Sequence, residues 1–324
     1  MSEYYTKKID AQDFEMLIPL MKDCFGMDVN IGYFQWKYVQ NPAGSFIGFV
    51  AIETETNEIG AYYGVIPQNF LINGTEKTIY QSCDTMTHSK HRRKGLFKML
   101  AMECYKYLEE NEQLFVIGFG GAQSTPGFLK FGWKQVFNFK YYFKPSLTCR
   151  FTFSKSLNRN NFIENIDIQN LDDFLRSVKF PDNLICSLRS SKHIRWRTKN
   201  PNYSYKIIVY KPMELIEGYV IYYINNNKLI LFDFLCSSAK AEKALFRYLS
   251  EINNKSNLKG IVSFTKQNGS RALTLKKNGF ISNPFKKGPL SERTPFIFFA
   301  EKNVMEMFAS PDSWNITGYD HDAR

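Results

Sequence analysis

A strand that runs straight into a cationic turn and then a helix restricts a fold more than any overall composition does. One such passage spans Tyr80 to Trp133. Tyr80 to Thr87 reads as a polar-edged strand, His88 to Gly95 as a basic turn, and Leu96 to about Glu110 as an amphipathic helix. A second strand (Leu114 to Phe119), the Gly120-Gly121 turn and a short helix ending at Phe131-Gly132-Trp133 complete it. The last amides of such a turn and the first amides of its helix have no internal partners, and the helix dipole adds positive potential. The passage is therefore predicted to hold phosphates.

Composition bounds the rest. With 324 residues the chain is long enough for two ordinary domains. An aromatic share of 16% points to sheet-rich cores. No apolar run approaches the roughly 20 residues that span a bilayer, and no apolar segment follows the polar N-terminus. The six cysteines are scattered, without a Cys-x-x-Cys pair, so disulfides and zinc are not expected and a reducing cytoplasm fits. The net charge of +11 calls for an anionic partner. Apart from His88 to Lys94 the basic residues are dispersed and no nucleic-acid motif accompanies them, which favours a phosphate-bearing small molecule over nucleic acid.

In chain order, Ile9 to Phe25 has helical spacing, with Asp10 or Asp13 as its cap, and Tyr33 to Val39 is an aromatic helix stopped by Asn41-Pro42-Ala43-Gly44. Strands are expected at Phe46 to Glu53, Glu58 to Ile66, and on both sides of the Asn73-Gly74 hairpin signal. Lys134 to Phe143 would close a first unit. From Lys144 to about Leu188 the chain turns polar and reads as a connection with one helix near Leu171 to Val178.

The pattern then restarts. Trp36-Lys37 and Asn41-Pro42 return as Trp196-Arg197 and Asn200-Pro201, followed again by strands, a helix (about Ala239 to Ile252), a strand (Gly260 to Thr265) and a helix ending in Gly279-Phe280. Leu235-Cys236-Ser237-Ser238 stands where the first copy has its basic turn. Two similar domains are expected, 1–145 and 189–324 joined through 146–188, of which only the first holds a phosphate.

The segment His91-Arg92-Arg93-Lys94-Gly95-Leu96-Phe97 resembles the acyl-CoA-binding motif of the GNAT N-acyltransferase superfamily, Gln/Arg-x-x-Gly-x-Gly/Ala. Arg92 and Gly95 match it, while Phe97 stands where a small residue is usual. The Phe-x-Lys-Phe-Gly-Trp ending at Trp133 resembles the family as well, and the likeness covers about the first 145 residues. It implies an α/β fold of the α+β kind, a mixed sheet flanked by helices and here duplicated in tandem, with acetyl-CoA as co-substrate and no metal. It also implies that Met86, Thr87 and His88 border the pantetheine arm, while Arg92, Arg93, Lys94, Gly95, Leu96 and Phe97 hold the CoA phosphates. The residues agree, because only glycine lets the backbone approach a pyrophosphate closely, and cations neutralise it.

Transfer requires a neutral amine held against the thioester, a donor to polarise its carbonyl, and a group to take one proton. Asp84 is the nearest candidate base, with His88 a lesser one and Ser124 and Gln123 as polar contacts. The family's usual tyrosine acid is replaced by Phe128, and by Leu275 in the second copy. The acidic, aromatic tail from Asp312 suggests that Asp320 or Asp322 faces the acceptor as amine ligand or base. The Trp-Lys opening, the tandem arrangement and the tail look like GNAT proteins of bacterial surface-polysaccharide synthesis, which acylate amino sugars, often nucleotide-linked. Trp36, Tyr38 and Trp196 could stack on sugar or simply fill the core. The alternatives are a non-catalytic CoA- or anion-binding module, an aminoglycoside acetyltransferase, and a tRNA-dependent aminoacyl transferase whose RNA binding would weaken with salt.

Overall fold

The computed structural model describes residues 3–150, 157–164, 166–181 and 184–322. Its strands are β1 (Tyr4–Lys8), β2 (Ile47–Glu53), β3 (Ile59–Ile72), β4 (Thr75–Thr87), β5 (Phe115–Phe119), β6 (Lys134–Pro145) and β7 (Phe162–Glu164). They continue as β8 (Ile185–Ser187), β9 (Lys206–Tyr210), β10 (Gly218–Asn225), β11 (Lys228–Cys236), β12 (Gly260–Lys266), β13 (Arg293–Ala300) and β14 (Trp314–Asn315). One mixed sheet joins them in the order β1-β2-β3-β4-β5-β13-β6-β12-β11-β10-β9-β7, while β8 links β3 to β14. This is the helix-flanked mixed sheet expected from the sequence. Among the described residues no helix is long and apolar enough to cross a membrane.

Local chemistry accounts for most elements. Asn73 and Gly74 both take positive φ (50° and 73°), which two-residue hairpin turns require, and so fix the β3–β4 register. Glu58 to Ile66 and Phe70 to Ile72, expected as separate runs, form the single strand β3 through Pro67. The helix Leu96–Glu110 buries Leu96, Leu100, Ala101, Cys104, Tyr105 and Leu108, one face at helical spacing, against Val65, Val116 and Trp133. Burying each large apolar side chain there contributes about 1.5–3 kcal/mol.

The centre of the sheet corrects one expectation. Lys134 to Phe143 is a strand, but it does not close the first half on itself. β13, from the second half, lies between β5 and β6 and pairs antiparallel with both, while β6 pairs with β12. Each half thus contributes its last long strand to the parallel pair of the other, β4–β5 or β11–β12. The stretch from 146 to 188 contains the expected helix, Asp172–Ser177, but also adds β7 and β8 to the sheet.

The repeated Trp-Lys/Arg dipeptides meet on this pseudo-symmetric arrangement. Trp36 Nε1 donates to the Trp196 carbonyl (2.6 Å) and Trp196 Nε1 to the Trp36 carbonyl (2.7 Å), with the rings stacked 5.7 Å apart. Trp36, Lys37 and Tyr38 are all buried because Gln35–Val39 makes a single π turn, which places consecutive residues inward. These aromatics form core and clamp, so the possibility that Trp36, Tyr38 and Trp196 stack on a sugar is withdrawn.

Candidate active site

β4 and β5 pair only at Tyr80–Val116 and Gln81–Ile117, then separate and leave a wedge-shaped opening. Along one wall β4 bulges. Met86 faces Tyr62 and Cys83 faces Gly64, so one extra residue is accommodated around Asp84, whose φ is 47°. A non-glycine residue in the left-handed region costs energy, and Asp is among the few that tolerate it. Here the conformation is secured by its side chain, which accepts from Lys37 Nζ (2.8 Å) and Tyr38 Oη (2.6 Å).

At the mouth of the wedge stands the basic turn. His88 caps a short turn by accepting from the Lys90 amide, Arg93 takes φ 64° and Gly95 φ 78°. No side chain caps the helix that follows, and the first intrahelical bond is from the Met99 amide to the Gly95 carbonyl. The amides of Leu96, Phe97 and Lys98 are left for an outside acceptor. A Cβ at Gly95 would meet nothing within 4 Å, so the backbone there lies open to a ligand. Arg92 and Arg93 are exposed beside it. Lys94 instead turns back to Tyr4 Oη (2.7 Å) and Glu53 (3.6 Å). Phe97 fills the small-residue position by lying over Gly127, where a Cβ would come within 2.9 Å of its ring. The residues thus fit an acyl-CoA pyrophosphate.

The second copy has the same scaffold without the opening. β11 and β12 also part, after Leu231–Ser263, and β11 also bulges, opposite Ile221–Tyr222. Ser238 caps the equivalent helix by accepting from the Ala241 amide. The gap is filled by the chain's own tail, where Thr317 bridges to Thr265 and Gly318 packs so closely that a Cβ would lie 2.3 Å from the Phe264 carbonyl oxygen.

That tail then passes beneath the first wedge. Asp320 accepts from the Thr317 amide (2.6 Å) in a capping box, and its carbonyl accepts from Gln68. Asp322 accepts from Lys37 Nζ (2.9 Å) and Gln81 Nε2 (3.0 Å). Burial opposes its charge, but Lys37 and His321 outweigh that and hold its carboxyl well below the usual range. For Lys37 burial likewise opposes the charge, and Asp322 and Asp84 push its pKa well above the usual value. From the other side Arg197 donates to the carbonyls of His321 (2.7 Å) and Asp322 (3.5 Å). Both copies of the sequence echo therefore supply a cation that grips the tail.

The His321 ring lies against Phe119, at the end of β5, with ring centres 4.5 Å apart. It also lines a cavity of about 800 Å³ in the second half, walled by Tyr141, Tyr203, Tyr223, Phe232 and Phe264 with Asn225, Lys228, Lys286 and Glu292. The other candidates sit apart. Ser124 accepts from the Gly121 amide (3.3 Å) after β5, and Gln123 is exposed. Phe128 is buried against Trp133 (4.6 Å) and Leu275 is buried in the second core. Sequence reasoning brought Asp84 and Asp322 forward but missed Lys37, which joins them. It also missed His321, although a histidine beside the aspartates of the tail was in view.

The site thus combines a mixed sheet, a bulged and splayed parallel pair, and a helix without a side-chain cap after a basic turn. Residues 6–136 match the acetyltransferase (GNAT) domain family. No curated protein matches the chain in sequence. Among solved structures it is similar to a probable N-acyltransferase of Enterococcus faecalis V583 (TM-score 0.72, 11% identity, 92% of this chain and 73% of that one). It is also similar to a GCN5-related N-acetyltransferase from Anabaena variabilis (TM-score 0.65, 12% identity, 91% and 72%). A third likeness is to Saccharomyces cerevisiae N-myristoyltransferase with bound myristoyl-CoA (TM-score 0.60, 14% identity, 93% and 79%). At these identities the likeness is one of fold, and it extends through the second half.

Proposed function

We propose that the protein transfers an acyl group, acetyl by default, from acyl-CoA to the amine of a small acceptor, an amino sugar or nucleotide-linked amino sugar by preference. The observation that carries this reading is the meeting of two spaces at Phe119 and His321: the wedge behind the basic turn and the aromatic cavity of the second half. In this reading Arg92, Arg93 and the amides from Gly95 to Phe97 hold the pyrophosphate, with Lys94 at the edge of the field. Met86, Thr87 and His88 offer the free edge of β4 to the pantetheine arm, and an amide beside the Asp84 bulge polarises the thioester carbonyl. Asp84 and Asp322 are the carboxylates of the buried floor in this reading, with Ser124 farther off after β5, while the Asp320 carboxylate is engaged by Thr317 in the capping box.

The cavity supports the acceptor class. Aromatic faces suit the apolar faces of a sugar ring, while Lys228 and Lys286 suit phosphate. An acyl-CoA donor and six scattered cysteines, without a disulfide among them, support a cytoplasmic setting. A CoA-binding module without turnover is the second reading, favoured by the burial of Phe128 and Leu275, neither of which can donate a proton. Thiol release from acetyl-CoA with glucosamine, phosphorylated glucosamine and a uridine-diphosphate amino sugar tests both. Release with the nucleotide-linked or phosphorylated sugar is expected. CoA binding with no release on any amine would establish the module instead.

A further inference from the structure

One imidazole, that of His321, lies against Phe119 and lines the aromatic cavity. His321 is held on four sides. Its Nδ1 faces Asp322 Oδ1 at 3.4 Å, its ring lies against Phe119 at 4.5 Å, Phe264 approaches it at 6.1 Å, and Arg197 fixes its carbonyl. Asp322 is itself fixed by Lys37 and Gln81, and Lys37 by Asp84 on the bulge. A carboxylate so held orients the imidazole without needing to take the proton. Asp84 and Asp322 both accept from the Lys37 ammonium, so each carboxylate is already engaged in the buried cluster.

We propose that His321 is the proton acceptor of the transfer and that Asp322 is its positioning residue; this rests on the acyl-transfer reading above. The acceptor nitrogen, entering from the aromatic cavity, forms a bond to the thioester carbonyl carbon as the carbon–sulfur bond breaks. Its proton passes to the His321 ring, the sulfur leaves as thiolate, and that proton then returns to the thiolate or to solvent. The products are an amide and CoA thiol, with no oxidant or further reactant. The arrangement also accounts for the absence of a tyrosine at Phe128: one imidazole between amine and thiolate can serve both proton transfers.

The test compares the full-length chain with His321→Ala and His321→Gln, using acetyl-CoA and the three sugars named above. The readouts are thiol release, CoA affinity, thermal midpoint, and release with added imidazole. The expected result is a loss in kcat on the order of hundred- to ten-thousand-fold in both variants. CoA affinity and the midpoint stay unchanged, and imidazole partly restores the alanine variant, which a merely structural role would not allow. If the alanine variant does not fold, the glutamine variant, similar in size, carries the same expected loss. Wild-type rates in either variant would overturn the assignment, as would a loss that imidazole does not relieve in a folded alanine variant. A wild-type protein that binds CoA but releases no thiol overturns the transfer reading itself, and the inference with it.

Discussion

Lys37 shows what one residue can decide. A lysine with its side chain fully enclosed is tolerable only because Asp84 and Asp322 take its charge, with Tyr33 Oη at 3.4 Å nearby. Replacing it, as in Lys37→Met, leaves two buried carboxylates facing each other. A loss of ~3–5 kcal/mol in denaturant unfolding is expected. The pH dependence should also change sign. In the wild type, Asp322 titrates below its ordinary 3.8 in the folded state, so its contribution is present above that value and disappears as pH falls through the lower folded pKa. In Lys37→Met the Asp322 carboxylate loses the charge that offsets its burial and gains a proton more readily when folded, so the deficit should shrink on acidification. Sequence could not disclose this centre, because the partners lie 47 and 285 residues from Lys37. An aromatic helix with a lysine in it reads locally as an amphipathic surface.

At the scale of elements, the strand–turn–helix from Tyr80 to Glu110 was legible because its signals are local: a cationic turn, a glycine with φ 78°, and helical apolar spacing behind it. The Asn73-Gly74 hairpin was legible for the same reason. Arg92→Ala should weaken CoA binding about tenfold by calorimetric titration while leaving the thermal midpoint unchanged. Gly95→Val should weaken binding and also cost about 1–2 kcal/mol of stability, because a β-branched residue is forced to a positive φ. The π turn at Gln35–Val39 and the bulge at Asp84 were not legible. Both are single-residue insertions into regular elements, stabilised by what packs on them rather than by their own composition.

For the whole molecule, the exchange of β6 and β13 makes the two halves one cooperative body. Residues 1–150 expressed alone would expose the edges of β5 and β6 that β13 and β12 cover. That fragment is expected to self-associate or aggregate on size exclusion, whereas the full chain should unfold in a single transition. A monomeric, cooperatively folded fragment would contradict this account. The tail belongs to the same scale: it fills the second wedge with Thr317 and Gly318 and floors the first with Asp322.

The sequence by itself determined the basic strand–turn–helix, the repeat, and the loss of the basic turn from the second copy, because each is written in neighbouring residues. The tertiary structure alone decided that the copies trade strands, that Trp36 and Trp196 clamp each other, and that Lys37 and Arg197 converge on the tail. Those contacts join residues far apart in the chain. Burial, not local propensity, selects their partners, since a charge removed from water must find its counter-charge wherever the fold brings one.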